Sequence, residues 1–165
     1  MIDATARTAA RTLAAIGLGV LLVFAATTIA DGLLRFFFAR PIDAVRDLGG
    51  LVAAFAVASC IPLTIIERAS ITIRFVTSFV GLRAGRVADA AAALLVQIVL
   101  TAMAWQFVQY ARQATQDGNA TWMLRIPTAP VWWAVAAMIG FAALLQLLVL
   151  RDCLRGTAAP AAPTA

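Results

Sequence analysis

The chain has 165 residues, of which 63% are hydrophobic and 13% charged, with a formal net charge of +5 and no histidine. Soluble domains carry charge on about a quarter of their residues, so this composition excludes an ordinary soluble globular domain. All 13 basic residues are arginine and lie between apolar runs, not in a stripe, which argues against nucleic-acid binding.

Without histidine, the usual general base, haem ligand and commonest metal ligand are gone. Cys60 and Cys153 stand alone, with neither a metal spacing nor a disulfide framework. Both read as small apolar side chains.

After a short polar start with Arg7 and Arg11, the first apolar run is Thr12 to Ala30, nineteen residues without a charge. As a helix it spans roughly 28 Å, about the thickness of a bilayer's hydrocarbon core. Thr28-Ile29-Ala30 offers small residues at a signal-peptidase spacing. The run is nevertheless longer than a signal peptide's 7–15-residue apolar core, so a retained anchor is expected.

The interval 31–50 follows, with Asp31, Asp43, Asp47, Arg35, Arg40 and Arg46, and with Phe36, Phe37 and Phe38 in a row. Gly32 to Ala44 reads as an amphipathic segment at the water interface. Its phenylalanines sit at headgroup level while Arg35 and Arg40 reach water. Pro41 is expected to end a helical piece. Arg35 is placed to pair with Asp31, four residues earlier, or with Asp47 across the turn.

The second run is Leu48 to Ile66, again nineteen residues without a charge. Gly49-Gly50 opens it and lets another backbone approach closely. Pro62 is expected to kink it. In the interval Glu67 to Arg86, Ile71, Phe75, Phe79 and Leu82 fall on one helical face, which reads as a second short interfacial helix or as a continuation of the second membrane helix into water.

The third run is Ala90 to Val108, with Gln97 inside it, and Tyr110, Arg112 and Gln113 mark the interface beyond. The loop to Arg125 carries the turn signal Asp117-Gly118. Asn119-Ala120-Thr121 matches a glycosylation acceptor, a three-residue pattern of little weight. The fourth run is Ile126 to Leu150. Pro127 and Pro130 lie in its first turns, Trp132 and Trp133 form an aromatic belt, and Gln146 is a lone polar residue. Lone glutamines in a span are expected to bind a neighbouring helix. The Ala/Pro/Thr-rich residues 156–165 read as a disordered tail on a single transmembrane domain, 1–155.

Topology follows from arginine counts. One side receives Arg7, Arg11, Arg68, Arg74, Arg83, Arg86, Arg151 and Arg155; the other receives Arg35, Arg40, Arg46, Arg112 and Arg125. The excess puts both termini in the cytoplasm. The fold class is therefore all-α and integral to the membrane, with four transmembrane helices and two short interfacial amphipathic segments. No run holds an ionisable residue at its centre, where pumps and ion-coupled carriers place one. No nucleophile sits with a base, so no catalytic residue is assigned and no enzyme is expected. Such a chain reads as a subunit packed against a larger membrane partner. The faces expected to pack closely on that partner bear Gly17, Gly19, Gly49, Gly50 and Gly140.

Three local patterns in this layout carry a resemblance. Arg35-Phe36-Phe37-Phe38-Ala39-Arg40-Pro41-Ile42 is similar to an Arg-aromatic-x-x-Asn-x-Pro stretch, with Asp47 at a position usually held by Glu. Ser70-Ile71-Thr72-Ile73 stands where His-Ile-x-Val followed by Asp is common. Ile126-Pro127 with Trp132 precedes Ile139-Gly140-Phe141 in the last span. Over roughly residues 12–152 the chain resembles the small membrane (Q) subunit, the DctQ family, of tripartite ATP-independent periplasmic (TRAP) transporters. It departs from that family at Ala44 (commonly Trp), Ser70 (His) and Arg74 (Asp).

The resemblance implies a non-catalytic scaffold in the bacterial inner membrane, bound to a large (M) permease subunit and working with a periplasmic substrate-binding (P) protein. It implies sodium-coupled uptake of carboxylated organic solutes. The small subunit itself has no cofactor; the sodium gradient is used by its partner. Arg35, Arg40 and Asp47 then lie on the periplasmic side, placed to contact the binding protein. Two other classes remain: a self-sufficient homodimeric transporter, which predicts an ionisable residue within the membrane, and a membrane enzyme, which predicts a cluster of His, Cys, Asp or Glu at one face.

Overall fold

The computed structural model describes residues 4–39, 42–67 and 82–154, with the backbone alone described at 43, 82–89 and 152–154. Four helices follow in chain order: α1 (Ala4–Phe38), α2 (Asp43–Glu67), α3 (Leu82–Gln116) and α4 (Ala129–Leu154). All four are long and apolar enough to cross a membrane. The expected all-α, four-span architecture is the one observed.

Two helices outrun their apolar runs. α1 and α3 are each 35 residues long, about 52 Å, well beyond the hydrocarbon core. The charge-free run marks the part that lipid surrounds; the backbone stays helical into the polar flanks. Gly32 to Phe38 is thus not a separate piece but the last two turns of α1, with Phe36, Phe37 and Phe38 exposed at its end. α1 ends at Phe38, three residues before Pro41, and the next residue, Ala39, takes a left-handed φ of 52°. Arg40, Pro41, the Ser70–Ile73 pattern, Ile71, Phe75 and Phe79 of the expected second interfacial helix, and the 156–165 tail lie outside the described residues; Leu82, expected on the same face, opens α3 instead.

The helices form two antiparallel hairpins, α1 with α2 and α3 with α4, joined by contact of α2 with α4. Among the described residues α2 and α3 do not meet directly, so α4 stands behind the gap between them. Half of the membrane window of α4 is buried, against 11% of that of α1 and of α3. α4 is the centre of the bundle.

The α3–α4 seam follows a heptad. Ala93, Gln97, Leu100, Ala104, Phe107, Ala111 and Ala114 repeat at alternating steps of four and three along α3, the spacing that keeps one side facing a partner helix. From α4, Val135, Ala136, Ile139, Ala142 and Gln146 are buried. The core proper joins all four helices: Ala58, Val135, Met138 and Ile139, with Leu13 from α1 and Met103, Ala104 and Phe107 from α3 packed on them. A second cluster, Ala10, Ile66 and Leu145, closes the end where α1 begins and α2 finishes. α2 runs through Pro62, which is fully buried with Ser59.

Candidate functional site

The bundle has two ends with different construction. At one end Arg11 of α1 pairs with Glu67 of α2 at 3.5 Å, both side chains largely exposed. At the other end lie the α1–α2 turn and the α3–α4 loop, and here carboxylates bind backbone. An Asp31 carboxylate oxygen accepts the N–H of Ile42, eleven residues on. One oxygen of Asp47 accepts the N–H groups of both Met123 and Leu124, each at 2.8 Å, across 76 and 77 residues of sequence. An ionised carboxylate makes hydrogen bonds about twice as strong as a neutral acceptor does.

The loop that Asp47 grips is itself closed. α3 ends at Gln116, and Gly118 follows at φ 63°. The N–H of Asn119 reaches back to the carbonyl of Ala114 at 3.1 Å. This is a Schellman end, in which glycine supplies the left-handed residue. Thr121 N–H then donates to the Ile126 carbonyl at 2.9 Å, while Ile126 N–H donates to the Thr121 hydroxyl at 3.0 Å. Ala120 and Pro127 form an antiparallel bridge. Thr128 donates its N–H and its hydroxyl to the Asn119 carbonyl, at 2.9 and 3.1 Å. Its own carbonyl accepts the first N–H bonds of α4, from Val131 and Trp132. Residues 119–128 are thus a ladder with Trp122–Arg125 as its tip.

Arg46, Asp47, Gly50 and Leu51 of α2, Tyr110 of α3, Trp132 of α4 and the loop residues Asn119 to Trp122 and Thr128 line an open recess of about 580 Å³. The Trp132 ring stands edge-on to Tyr110 at 4.7 Å and stacks on Phe107 at 6.1 Å. Trp133 donates its indole N–H to the Thr115 hydroxyl at 3.1 Å.

The residues singled out by sequence separate in the structure. Asp47 sits in the recess, facing the loop. Arg35 is exposed, and among the described residues it is paired with neither Asp31 nor Asp47. Arg40 lies outside the described residues. Gly17 is buried inside the chain. A Cβ built there would lie 1.7 Å from the Ser59 hydroxyl and 3.4 Å from the Ala56 Cα, so its close approach is made to α2. Gly49 faces the Phe24 ring of α1 at 3.4 Å. Gly19, Gly50 and Gly140 have open space where a side chain would be.

Gln146 joins two helices, donating to the Ala93 carbonyl at 3.1 Å. Gln97 instead donates within its own helix, to the Thr101 hydroxyl at 3.0 Å, and its buried carbonyl oxygen has no partner. Sequence reasoning missed the backbone-binding role of both aspartates, and it missed Trp122. The interval Gln113 to Arg125 read as a plain turn because only Asp117-Gly118 carries a local signal.

A sequence profile described as "Tripartite ATP-independent periplasmic transporters, DctQ component" matches residues 24–156. That span contains the second part of α1 from Phe24 on, the whole of α2, α3 and α4, and both tied connections. No curated protein and no solved structure matches the chain. The four-span bundle and the profile match agree, and the chain belongs to the DctQ family, the small membrane subunits of TRAP transporters.

Proposed function

We propose that the chain is a non-catalytic scaffold for a large permease subunit in sodium-coupled uptake of carboxylated organic solutes, delivered by a periplasmic binding protein. The observation that carries this reading is the family match over residues 24–156. Burial supports it. α1 leaves Leu22, Val23 and Ile29 exposed, and α3 leaves Leu95, Ile98 and Trp105 exposed, so two long helices each have an uncovered apolar side. Lipid covers some of that surface. A second membrane protein covers the rest.

Of the five glycines singled out by sequence, Gly19, Gly50 and Gly140 have room for a partner's backbone. Gly17 and Gly49 serve the α1–α2 contact instead. On this proposal the end bearing the α1–α2 turn and the α3–α4 loop faces the periplasm, both termini are cytoplasmic, and the membrane is the bacterial inner membrane. Arg35 and Arg40 are then contacts for the binding protein, and Asp47 contributes through the loop it holds. The subunit has no cofactor of its own; the sodium gradient is used by the large subunit.

The test is affinity purification of the chain from its native membrane, with mass spectrometry of what accompanies it. One large multi-span protein in fixed ratio is expected. Recovery of the chain alone as a stable homo-oligomer overturns the scaffold reading and puts a self-sufficient homodimeric transporter first. In the complex, Gly19→Leu or Gly140→Leu at a used face lowers recovery of the large protein while leaving the chain itself folded.

A further inference from the structure

The tip of the α3–α4 loop has a composition that a water-facing loop avoids. Trp122 is 96% exposed, and Met123, Leu124 and Ile126 are exposed beside it. Among the described residues nothing covers them. The tip is nevertheless held firmly: Thr121 and Ile126 close its base, Arg125 takes a left-handed φ of 52° with its N–H on the Thr121 carbonyl, and Asp47 grips the Met123 and Leu124 amides. A shape held this way presents its apolar side chains; it does not merely leave them out.

Its depth follows from the same bonds. Asp47 stands one residue before the charge-free run Leu48–Ile66. The Met123 and Leu124 backbone, bonded to it at 2.8 Å, therefore lies at the height where α2 enters the hydrocarbon. The loop is folded down against the bundle at the boundary between lipid and water. Tyr110 and Trp132, which line the recess with Trp122, are residue types that favour that boundary. Arg46 and Arg125 are exposed next to the tip, while the nearby Asp47 has one oxygen fully engaged with backbone. These two guanidinium groups suit lipid phosphate.

We propose that the α3–α4 loop is a lipid-interface anchor: Trp122, Met123 and Leu124 enter the headgroup–acyl boundary of the adjacent leaflet, and Arg46 and Arg125 take lipid phosphates. The anchor fixes the depth of the α3–α4 hairpin in the bilayer. It rests on the membrane-spanning helices and not on the scaffold role, so either can fail without the other.

The full chain, labelled with 5-fluorotryptophan, is placed in nanodiscs of phosphatidylethanolamine and phosphatidylglycerol. The fluorine resonance lost in Trp122→Phe identifies Trp122. Lipid carrying a nitroxide high on its acyl chain is expected to broaden that resonance several-fold more than a water-soluble gadolinium chelate does. The opposite order places the tip in water, ready for a soluble protein, and overturns the proposal. Protection from both agents means that protein covers the tip, and overturns it too. A second arm compares nanodiscs with and without the anionic lipid: Arg46→Gln with Arg125→Gln is expected to reduce the nitroxide effect in the anionic discs, and an unchanged effect removes the phosphate contacts from the proposal.

Discussion

The two hairpins are built from similar apolar runs but held by different means. The α3–α4 hairpin has a seven-residue seam from Ala93 to Ala114 of α3, a laddered loop and an interhelical hydrogen bond from Gln146. The α1–α2 hairpin has its tightest approaches at Gly17 against Ser59 and Gly49 against Phe24, with Asp31 bonded to Ile42 in the turn. α1 buries Ala10, Ala14 and Gly17, all in its first half, and little beyond. A helix held at few points concentrates its energetics there; a continuous seam spreads them. Enlarging a small residue at such a point should therefore hurt more than the same change in the second hairpin.

Gly17→Ala is the sharpest test. Its new Cβ would fall 2.7 Å from the Ser59 Cβ, and a buried serine has little room to turn away. Overpacking of this kind costs about 1–3 kcal/mol, read as a fall in the thermal midpoint of the chain in detergent. Gly17→Ala with Ser59→Gly should recover much of that loss, giving a favourable coupling of about 1 kcal/mol or more in a double-mutant cycle. Additive losses would mean that α1 and α2 do not touch there. Gly140→Ala is the control in the other hairpin. Its Cβ meets nothing within 4 Å, and the change should stay within about 0.5 kcal/mol.

The second test separates the two connections. Asp47→Ala removes the acceptor for two amides and should speed hydrogen exchange at Met123 and Leu124 by roughly tenfold or more, leaving the α3–α4 seam protected. Asp47→Asn keeps an oxygen at the site and should fall between. If Asp47→Ala leaves both amides slow, the loop is held by its own ladder and the clamp is dispensable.

These two tests also mark how far the sequence could be read. The four spans were legible because hydropathy is a local property of about nineteen consecutive residues. The Gln146 cross-link was legible in kind, since an amide within a span seeks a neighbouring helix. Its partner was not, because a backbone carbonyl such as that of Ala93 has no signature in the sequence. Asp31 and Asp47 read as candidate partners for Arg35; the groups they bind are backbone amides, identical at every residue. Gly17 and Gly19 look alike in the chain, and only the helix phase set by Ala10 and Ala14 turns one inward. Trp122 was hidden in a polar loop because exposure depends on the loop's closure, not on its composition.

A smaller effect is expected where Gln146 reaches the Ala93 carbonyl. Hydrogen bonds between membrane helices are worth on average about 0.6 kcal/mol, since the separated helices also find partners. Gln146→Leu keeps the volume and should cost about that much in the thermal midpoint. A loss beyond about 2 kcal/mol would mean that the seam depends on this one bond and is not spread along α3.

The smallest effect belongs to the Arg11–Glu67 pair, and it decides what closes the α1–α2 hairpin at its open end. The side chains are 60% and 49% exposed, so solvent and salt screen the pair. Exposed ion pairs contribute about 0–1 kcal/mol. Arg11→Ala and Glu67→Gln should each cost little, and the cost should fade as salt is raised. The apolar cluster beneath, Ala10 with Ile66 and Leu145, then does the closing, and Leu145→Ala should cost more than either charge change, within the roughly 2–5 kcal/mol of buried leucine truncations. A large, salt-insensitive loss on Arg11→Ala would invert this order. It would place the pair out of water, and the α1–α2 hairpin would then be held by charge at both ends, by Arg11 on Glu67 and by Asp31 on the Ile42 amide, with packing only between them.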